Sequence, residues 1–129
     1  MSSNKQWNLL FIEDENSQFD SGSKLFSTLF NKVDIAHNNE EALKMIEANA
    51  YEIIINDITE EVVEGMIFLK DIKEKKNEQV LFAFVAPKDT DKLYGIADLG
   101  IHAFELSPEQ LEPALEAISQ MDLEELRAN

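Results

Sequence analysis

Three consecutive isoleucines, Ile53-Ile54-Ile55, run straight into Asn56-Asp57, and no other stretch constrains the fold as tightly. β-Branched side chains favour extended backbone. A run that is apolar at every position, rather than every second one, needs cover on both faces, as in a parallel sheet flanked by helices. The run is too short for a helix of its own, and helical patterns lie on either side of it. Open α/β sheets bind ligands at the carboxyl ends of their strands. Asp57 ends this strand and is the leading candidate for chemistry.

Similar runs recur along the chain. Leu9-Leu10-Phe11-Ile12 predicts a first strand that ends in Glu13-Asp14-Glu15. Phe19, Gly22, Phe26 and Leu29-Phe30 fall at helical spacing and predict a first helix. Lys32 to Ala36 alternates through Val33 and Ile35 as a second strand. Asn38, with Glu41 three residues on, is a candidate N-cap and reach-back pair for a second helix that buries Ala42, Leu43, Ile46 and Ala50. After Asp57 a loop runs to about Gly65. Phe68, Leu69 and Ile72 carry a third helix, with Lys73, Lys75 and Lys76 near its C-terminal end, where the macrodipole favours cations. Val80 to Ala86 is a fourth strand stopped by Pro87. Asp89 to Asp98 is a weaker fourth helix with Leu93, Ile96 and Ala97 inward, and Ile101 to Leu106 a fifth strand. Pro113 is tolerable only in a first turn, so the fifth helix starts near Gln110–Glu112 and carries Leu115, Ile118 and Met121. Residues 121–129 continue through Leu123 and Leu126 as the end of that helix or the start of a linker. Trp7 is expected to cover the sheet edge or the first helix. Five alternating strand–helix units predict one α/β domain over residues 1–129, with a core of about 8–120 and helices on both faces of a parallel sheet.

Charge and composition narrow the function. A net charge of −15, from 26 acidic and 11 basic residues, opposes contact with nucleic acid and suits a cation or a basic partner. Without cysteine, thiol catalysis and thiolate-bound zinc are excluded. Residues 1–8 have no apolar signal core, and no apolar run approaches the ~20 residues that span a bilayer. The expectation is a cytoplasmic protein with no membrane contact. His37 and His102 stand outside any metal-ligand spacing, and Glu15, Glu60, Glu61 and Glu64 read as solvated loop charge.

Phe11-Ile12-Glu13-Asp14-Glu15 and Ile53-Ile54-Ile55-Asn56-Asp57 resemble the first and third strands of response-regulator receiver domains. Gly65 matches the loop glycine of that family, and Leu99-Gly100 and Pro108 also fall in register. The likeness runs from about Asn8 to Gln120. It implies a flavodoxin-like sheet of order 2-1-3-4-5, an order the family itself exemplifies. It also implies a phosphoacceptor role for Asp57, within a two-component pathway or phosphorelay. The nucleophile would be a carboxylate oxygen, forming an acyl phosphate. Both reactants are anionic, so the resemblance brings a magnesium ion, Mg2+, held by Asp14 and Asp57, by the backbone carbonyl of Thr59, and by Glu13 through a water. The implied partner is a histidine kinase or phosphotransfer protein, with an output domain or a protein target downstream. A homodimer through the surface of strand five with the fourth and fifth helices is implied in the same way.

Several positions depart from the family pattern. The hydroxyl residue ending the fourth strand is Val85, which matches threonine in shape but offers no hydrogen bond. The lysine before the proline is Ser107, so a fixed cation is missing from the phosphoryl site. The switch aromatic is Phe104, without a hydroxyl, and the proline four residues after the acceptor is Glu61. Losing a positioned cation weakens transition-state stabilisation. Losing the hydroxyl uncouples a phosphoryl group from the fourth strand, and a ligand without differential contacts shifts no equilibrium. Ser107 has a simpler role available, capping a short helical turn with Gln110. The family resemblance implies a cis bond between Ser107 and Pro108.

Three functions follow. One is a receiver that takes a phosphoryl group on Asp57 with weak or atypical coupling. The second is a pseudo-receiver that binds partners irrespective of phosphorylation, through strand five and its flanking helices. The third is an aspartyl-phosphate phosphatase using Asp57-Ile58-Thr59, a class that places its nucleophile on the first strand and needs a later lysine and acidic pair. A non-enzymatic signalling role is the expectation.

Overall fold

The isoleucine run forms strand β3, Ile53–Asp57, at the centre of a five-stranded parallel sheet of order β2-β1-β3-β4-β5. The computed structural model describes residues 7–13 and 28–127. The other strands are β1 (Asn8–Ile12), β2 (Lys32–Ala36), β4 (Val80–Val85) and β5 (His102–Glu105). Between β2 and β3 lies α1, Asn39–Ala48, and between β3 and β4 lies α2, Val62–Lys75. Helices α3 (Leu93–Asp98), α4 (Leu111–Ser119) and α5 (Leu123–Arg127) complete the described elements. The first expected helix lies outside the described residues except at its end, where residues 28–29 are helical and Phe30 is buried.

The need for cover on both faces is met by two cores. Ile53 and Ile55 join Leu9, Phe11, Phe82 and Phe84 under Leu115 and Ile118 of α4. Ile54 joins Leu10, Leu81 and Ala83 under Ile46 of α1, Leu69 and Ile72 of α2, and Ile96 of α3. Burying each such isoleucine stabilises by about 1.5–3 kcal/mol, and the alternation sends successive ones to opposite cores. Asn38 caps α1 as its sequence implies: its side chain accepts from the Glu41 N–H at 2.7 Å, while the Glu41 carboxylate accepts from the His37 N–H at 2.8 Å. At the start of β3, the Tyr51 hydroxyl donates to Asp34 of β2 at 2.6 Å. Burial first, then this bond to a carboxylate, pushes the phenol well above its ordinary pKa.

The structure corrects several expectations. The weak fourth helix is split: residues 87–92 make a 3-10 turn broken at Asp89, and only α3 is α-helical, because Pro87 starts the segment without a side-chain cap. Ala97 of α3 is exposed, and Ala50 lies beyond α1 on the surface. Trp7 is buried in the first core, in one cluster with Leu29 and Phe30, and its carbonyl accepts the Asn31 N–H, which overturns neither of its expected positions. The chain after α4 neither extends that helix nor leaves the body. It turns at residues 120–122 and forms α5, whose Leu123 and Leu126 pack on the first core while His102 Nε2 lies 3.1 Å from the Leu126 carbonyl. No helix among the described residues is long and apolar enough to cross a membrane.

Candidate functional site

The carboxyl ends of β1 and β3 lie side by side because Ile12 pairs with Asn56, so Glu13 and Asp57 emerge on the walls of one cleft of about 480 Å3. The Glu13 N–H donates to the Ala36 carbonyl at 2.9 Å, extending the β1–β2 ladder by a step and bringing His37 to a further wall. The remaining wall is the start of α2, with Glu61, Glu64 and Gly65. Two of these glutamates had read from the sequence as plain loop charge; they stand on the cleft.

Asp57 is only 6% exposed. Its Oδ1 accepts two hydrogen bonds from Thr59, one from the backbone N–H at 3.0 Å and one from the hydroxyl at 2.6 Å. This side-chain-to-backbone turn fixes the carboxylate against the chain that follows it. The Ile58 N–H donates to the Phe84 carbonyl at 3.0 Å, so the backbone leaves β3 still held to β4. Ile58 then sits directly on Gly65, where an added Cβ would fall 2.0 Å from its Cγ2. Gly65 is thus required by close approach of the loop to α2.

Two residues of the cleft, His37 and Asn56, went unrecognised in the sequence. Glu13, with its side chain 12% exposed, has Oε2 3.5 Å from Nδ1 of His37, an ion pair when the imidazole is protonated. Asn56 is 3% exposed, lines the cleft, and has a side-chain Nδ2 without a hydrogen-bond partner among the described residues. An unsatisfied buried donor costs about 1–3 kcal/mol. The signal was available, since Asn56 is the one polar side chain set between Ile55 and Asp57 in a strand buried on both faces. His37 gave none, because its partner is distant in sequence.

The other expected positions are placed as follows. Asp14 lies outside the described residues. Thr59 is buried and turned to Asp57 through its N–H and hydroxyl. Val85 is fully buried in the second core, and its carbonyl accepts the Leu106 N–H at 2.9 Å. The Phe104 ring stacks on Phe84 at 6.3 Å between centroids and 9° between planes. Ser107 stands before a 3-10 turn, Pro108–Gln110; its N–H donates to the Gln110 side chain at 2.8 Å and its carbonyl accepts the Gln110 N–H at 2.9 Å. The bond before Pro108 is trans, as no described peptide bond is cis. That corrects the expected cis bond; the turn closes on the trans isomer, the default for most X–Pro bonds. Val85, Phe104 and Ser107 are not among the cleft's lining residues.

A metal ion would have Glu13 and Asp57 as oxygen donors here. Among the described residues no group of three or more His, Cys, Asp or Glu side chains is placed to hold one. A second and larger hollow, about 1190 Å3, follows β5 between α3 and α5, with Phe82 and Phe104 in its floor and exposed Tyr94 at its rim.

Comparison with known proteins adds to this geometry. No family model matches the chain. It is 27% identical over 119 residues to the probable C4-dicarboxylate response regulator DctR of Bacillus subtilis (strain 168), across 90% of this chain and 52% of that protein. It is 34% identical over 61 residues to the uncharacterised transcriptional regulatory protein YcbL of the same organism, across 47% of this chain and 27% of that protein. The chain thus spans about half or less of the length of these relatives. Among solved structures, NtrX from Brucella abortus superposes with a TM-score of 0.78, at 18% identity over 95% of this chain and 27% of that one. The receiver domain of NtrC4 from Aquifex aeolicus gives 0.72, at 20% identity over 96% of this chain and all of that one. The response regulator TrrA from Thermotoga maritima, in complex with Mg2+ and BeF, gives 0.68 at 20% identity over 90% of this chain and 100% of that one. Its sheet order, its helices on both faces and these neighbours give the chain the fold of a response-regulator receiver domain.

Proposed function

We propose that this chain is the receiver module of a two-component response regulator, acting as a signalling element rather than an enzyme, and that Asp57 is its phosphoacceptor. The observation that carries this reading is the placement of Asp57 at the end of the central strand, held by Thr59 and facing a cleft beside Glu13. An Asp57 carboxylate oxygen attacks phosphorus, the bond from phosphorus to the donor breaks, and the donor leaves with its electron pair. A histidine kinase or phosphotransfer protein is the donor in the cell. Magnesium would be held by Asp57, Asp14 and the Thr59 carbonyl, and by Glu13 through a water, and would neutralise charge between the two anions. The chain's own part is to orient the acceptor oxygen and to keep the cleft acidic enough to attract a cation.

Coupling from Asp57 to the rest of the molecule is weak in this reading. Val85 offers no hydroxyl, Ser107 no cation, and Phe104 is stacked on Phe84. These same features favour a second reading, a module that binds its partner whatever the state of Asp57. The hollow along β5, with exposed Tyr94 at its rim, is the surface on which it would do so, with a protein target or a second copy of the chain. The cleft and the hollow are separate, so the two readings make different demands. Incubation with magnesium and acetyl phosphate followed by intact mass measurement separates them, with Asp57→Asn as control. A single phosphoryl adduct that the variant lacks supports the first reading. Magnesium binding with no adduct supports the second.

A further inference from the structure

We propose that Asn56 is a further residue of the phosphoryl site: its side-chain amide donates a hydrogen bond to an oxygen of the group carried on Asp57. The inference rests on the reading of Asp57 as acceptor and goes one step past it. Three observations carry it. Asn56 is 3% exposed and its Nδ2 has no partner among the described residues, although its pairing neighbours Ile12 and Ala83 would accept an apolar side chain in that place. Asn56 also lines the same cleft as Asp57 and Glu13, so the residue borders the space that a ligand would enter. Among the described residues the cleft is also lined by the carboxylates of Glu13, Asp57, Glu61 and Glu64, which repel a phosphoryl oxygen, and by Asn38 and Asn39 at the start of α1, whereas Asn56 is the amide in the strand that carries Asp57. Val85 and Ser107 bring neither hydroxyl nor ammonium to the lining. His37 is engaged with Glu13. A neutral donor beside the acceptor supplies what the carboxylates cannot: an N–H aimed at a developing negative charge, without adding a cation that would compete for the acidic pair.

The amide needs only its terminal torsion to act. That torsion is broad and roughly two-fold, so a half-turn exchanges the positions of Nδ2 and Oδ1. In the transfer itself, Asp57 oxygen forms the new bond to phosphorus, the donor departs with its electron pair, and Asn56 neither gains nor loses a proton.

The test follows phosphorylation of the whole chain by acetyl phosphate with magnesium, using intact mass against time, in the wild type, Asn56→Leu, Asn56→Ser and Asp57→Asn. Leucine keeps the volume and removes the donor; serine restores a donor hydroxyl. Magnesium affinity is measured in parallel by calorimetry, and thermal melts establish that each variant is folded. The expected result is an adduct-formation rate about tenfold or more lower in Asn56→Leu, magnesium affinity within about twofold of wild type, and a rate in Asn56→Ser within about threefold of wild type. A wild-type rate in Asn56→Leu overturns the proposal and leaves Asp57 as acceptor. So does a slow Asn56→Leu whose magnesium affinity falls in proportion, because Asn56 then acts through the cation. If Asn56→Leu does not fold, Asn56→Ala takes its place: a wild-type rate there overturns the proposal, and a rate about tenfold lower at unchanged magnesium affinity, restored in Asn56→Ser, supports it. No adduct on the wild type that binds magnesium removes the acceptor reading and this inference with it.

Discussion

The two sides of the sheet's carboxyl edge are built differently. At β1 and β3 the strands end in polar groups that face a cleft: Glu13, Asn56 and Asp57, with Thr59 folded back on Asp57. At β4 and β5 they end in packing and self-satisfied turns: Val85 enclosed in the second core, Phe104 stacked on Phe84, and Ser107 closed on Gln110. Polar groups at strand ends are costly unless they have partners, and apolar ones stabilise wherever they are covered. One side presents polar groups to a cleft, and the other is closed by packing and a turn. In the proposed reading, the cleft side is the one that would take the phosphoryl group, and the side that would transmit is packed as core.

The strongest test of that contrast lies where the cleft is tightest. Replacing Gly65 by alanine puts a Cβ 2.0 Å from Ile58 Cγ2 and 2.6 Å from its Cβ, and Ile58 is itself buried and anchored through its N–H to Phe84. Gly65→Ala is expected to lose about 2–4 kcal/mol in chemical denaturation, as overpacking against a fixed side chain does. Adding Ile58→Ala should recover part of the loss, because the two effects share one contact. A loss below about 0.5 kcal/mol would mean that the cleft wall yields easily, and the contrast between a shaped cleft and a closed edge would fail.

Next in size is Val85→Thr. Threonine matches valine in shape, so the change places a hydroxyl in the second core with almost no change in volume. A destabilisation of about 1–2 kcal/mol is expected, the cost of burying a hydroxyl without a good partner. A neutral result would place the end of β4 in communication with the cleft. Measuring the phosphoryl adduct in the same variant sharpens this: if Val85→Thr leaves both its rate of formation and its lifetime unchanged, β4 is uncoupled from Asp57 by packing and not only by chemistry.

How legible this was depended on the range of the interactions involved. Strand positions could be read because Ile53-Ile54-Ile55 and Leu9-Leu10-Phe11 carry their requirement for two-sided cover within a few residues, whereas the sheet order came from the resemblance to receiver domains. The Asn38–Glu41 cap was visible for the same reason, both partners lying within one turn. The steric need for Gly65 was harder to see, since the contact that demands it is with Ile58 across a loop. The approach of His37 to Glu13 and the return of α5 onto the first core are set by which strands neighbour one another, and no local pattern records that. The split of the fourth helix turned on a balance of propensities around Pro87 and Asp89 too fine for spacing to decide. Val85, Phe104 and Ser107 were identifiable as departures, and the turn of Ser107 with Gln110 was legible because both lie within three residues, but only the structure places Val85 and Phe104 in packing rather than in the cleft.

Asn56 makes the comparison cut the other way. Its unpartnered Nδ2 is a cost borne by the cleft side, so Asn56→Leu is expected to raise stability by about 1 kcal/mol while slowing phosphorylation. Opposite signs in the two measurements are what separates a group kept for a ligand from one kept for the fold. A loss of stability would mean that the amide is satisfied by groups beyond the described residues.

The smallest effect belongs to the closed side. Gln110 reaches back to the Ser107 N–H at 2.8 Å on an exposed turn, and its own N–H donates to the Ser107 carbonyl. Gln110→Ala removes the side-chain bond and leaves the backbone one, so a loss of about 0.5 kcal/mol is expected by denaturation. Adduct formation on Asp57 should stay unchanged, because the turn does not line the cleft. A variant that altered phosphorylation while barely changing stability would connect the turn after β5 to the acceptor. The division between a chemical side and a structural side of this sheet would then have to be redrawn with Ser107 on the chemical side.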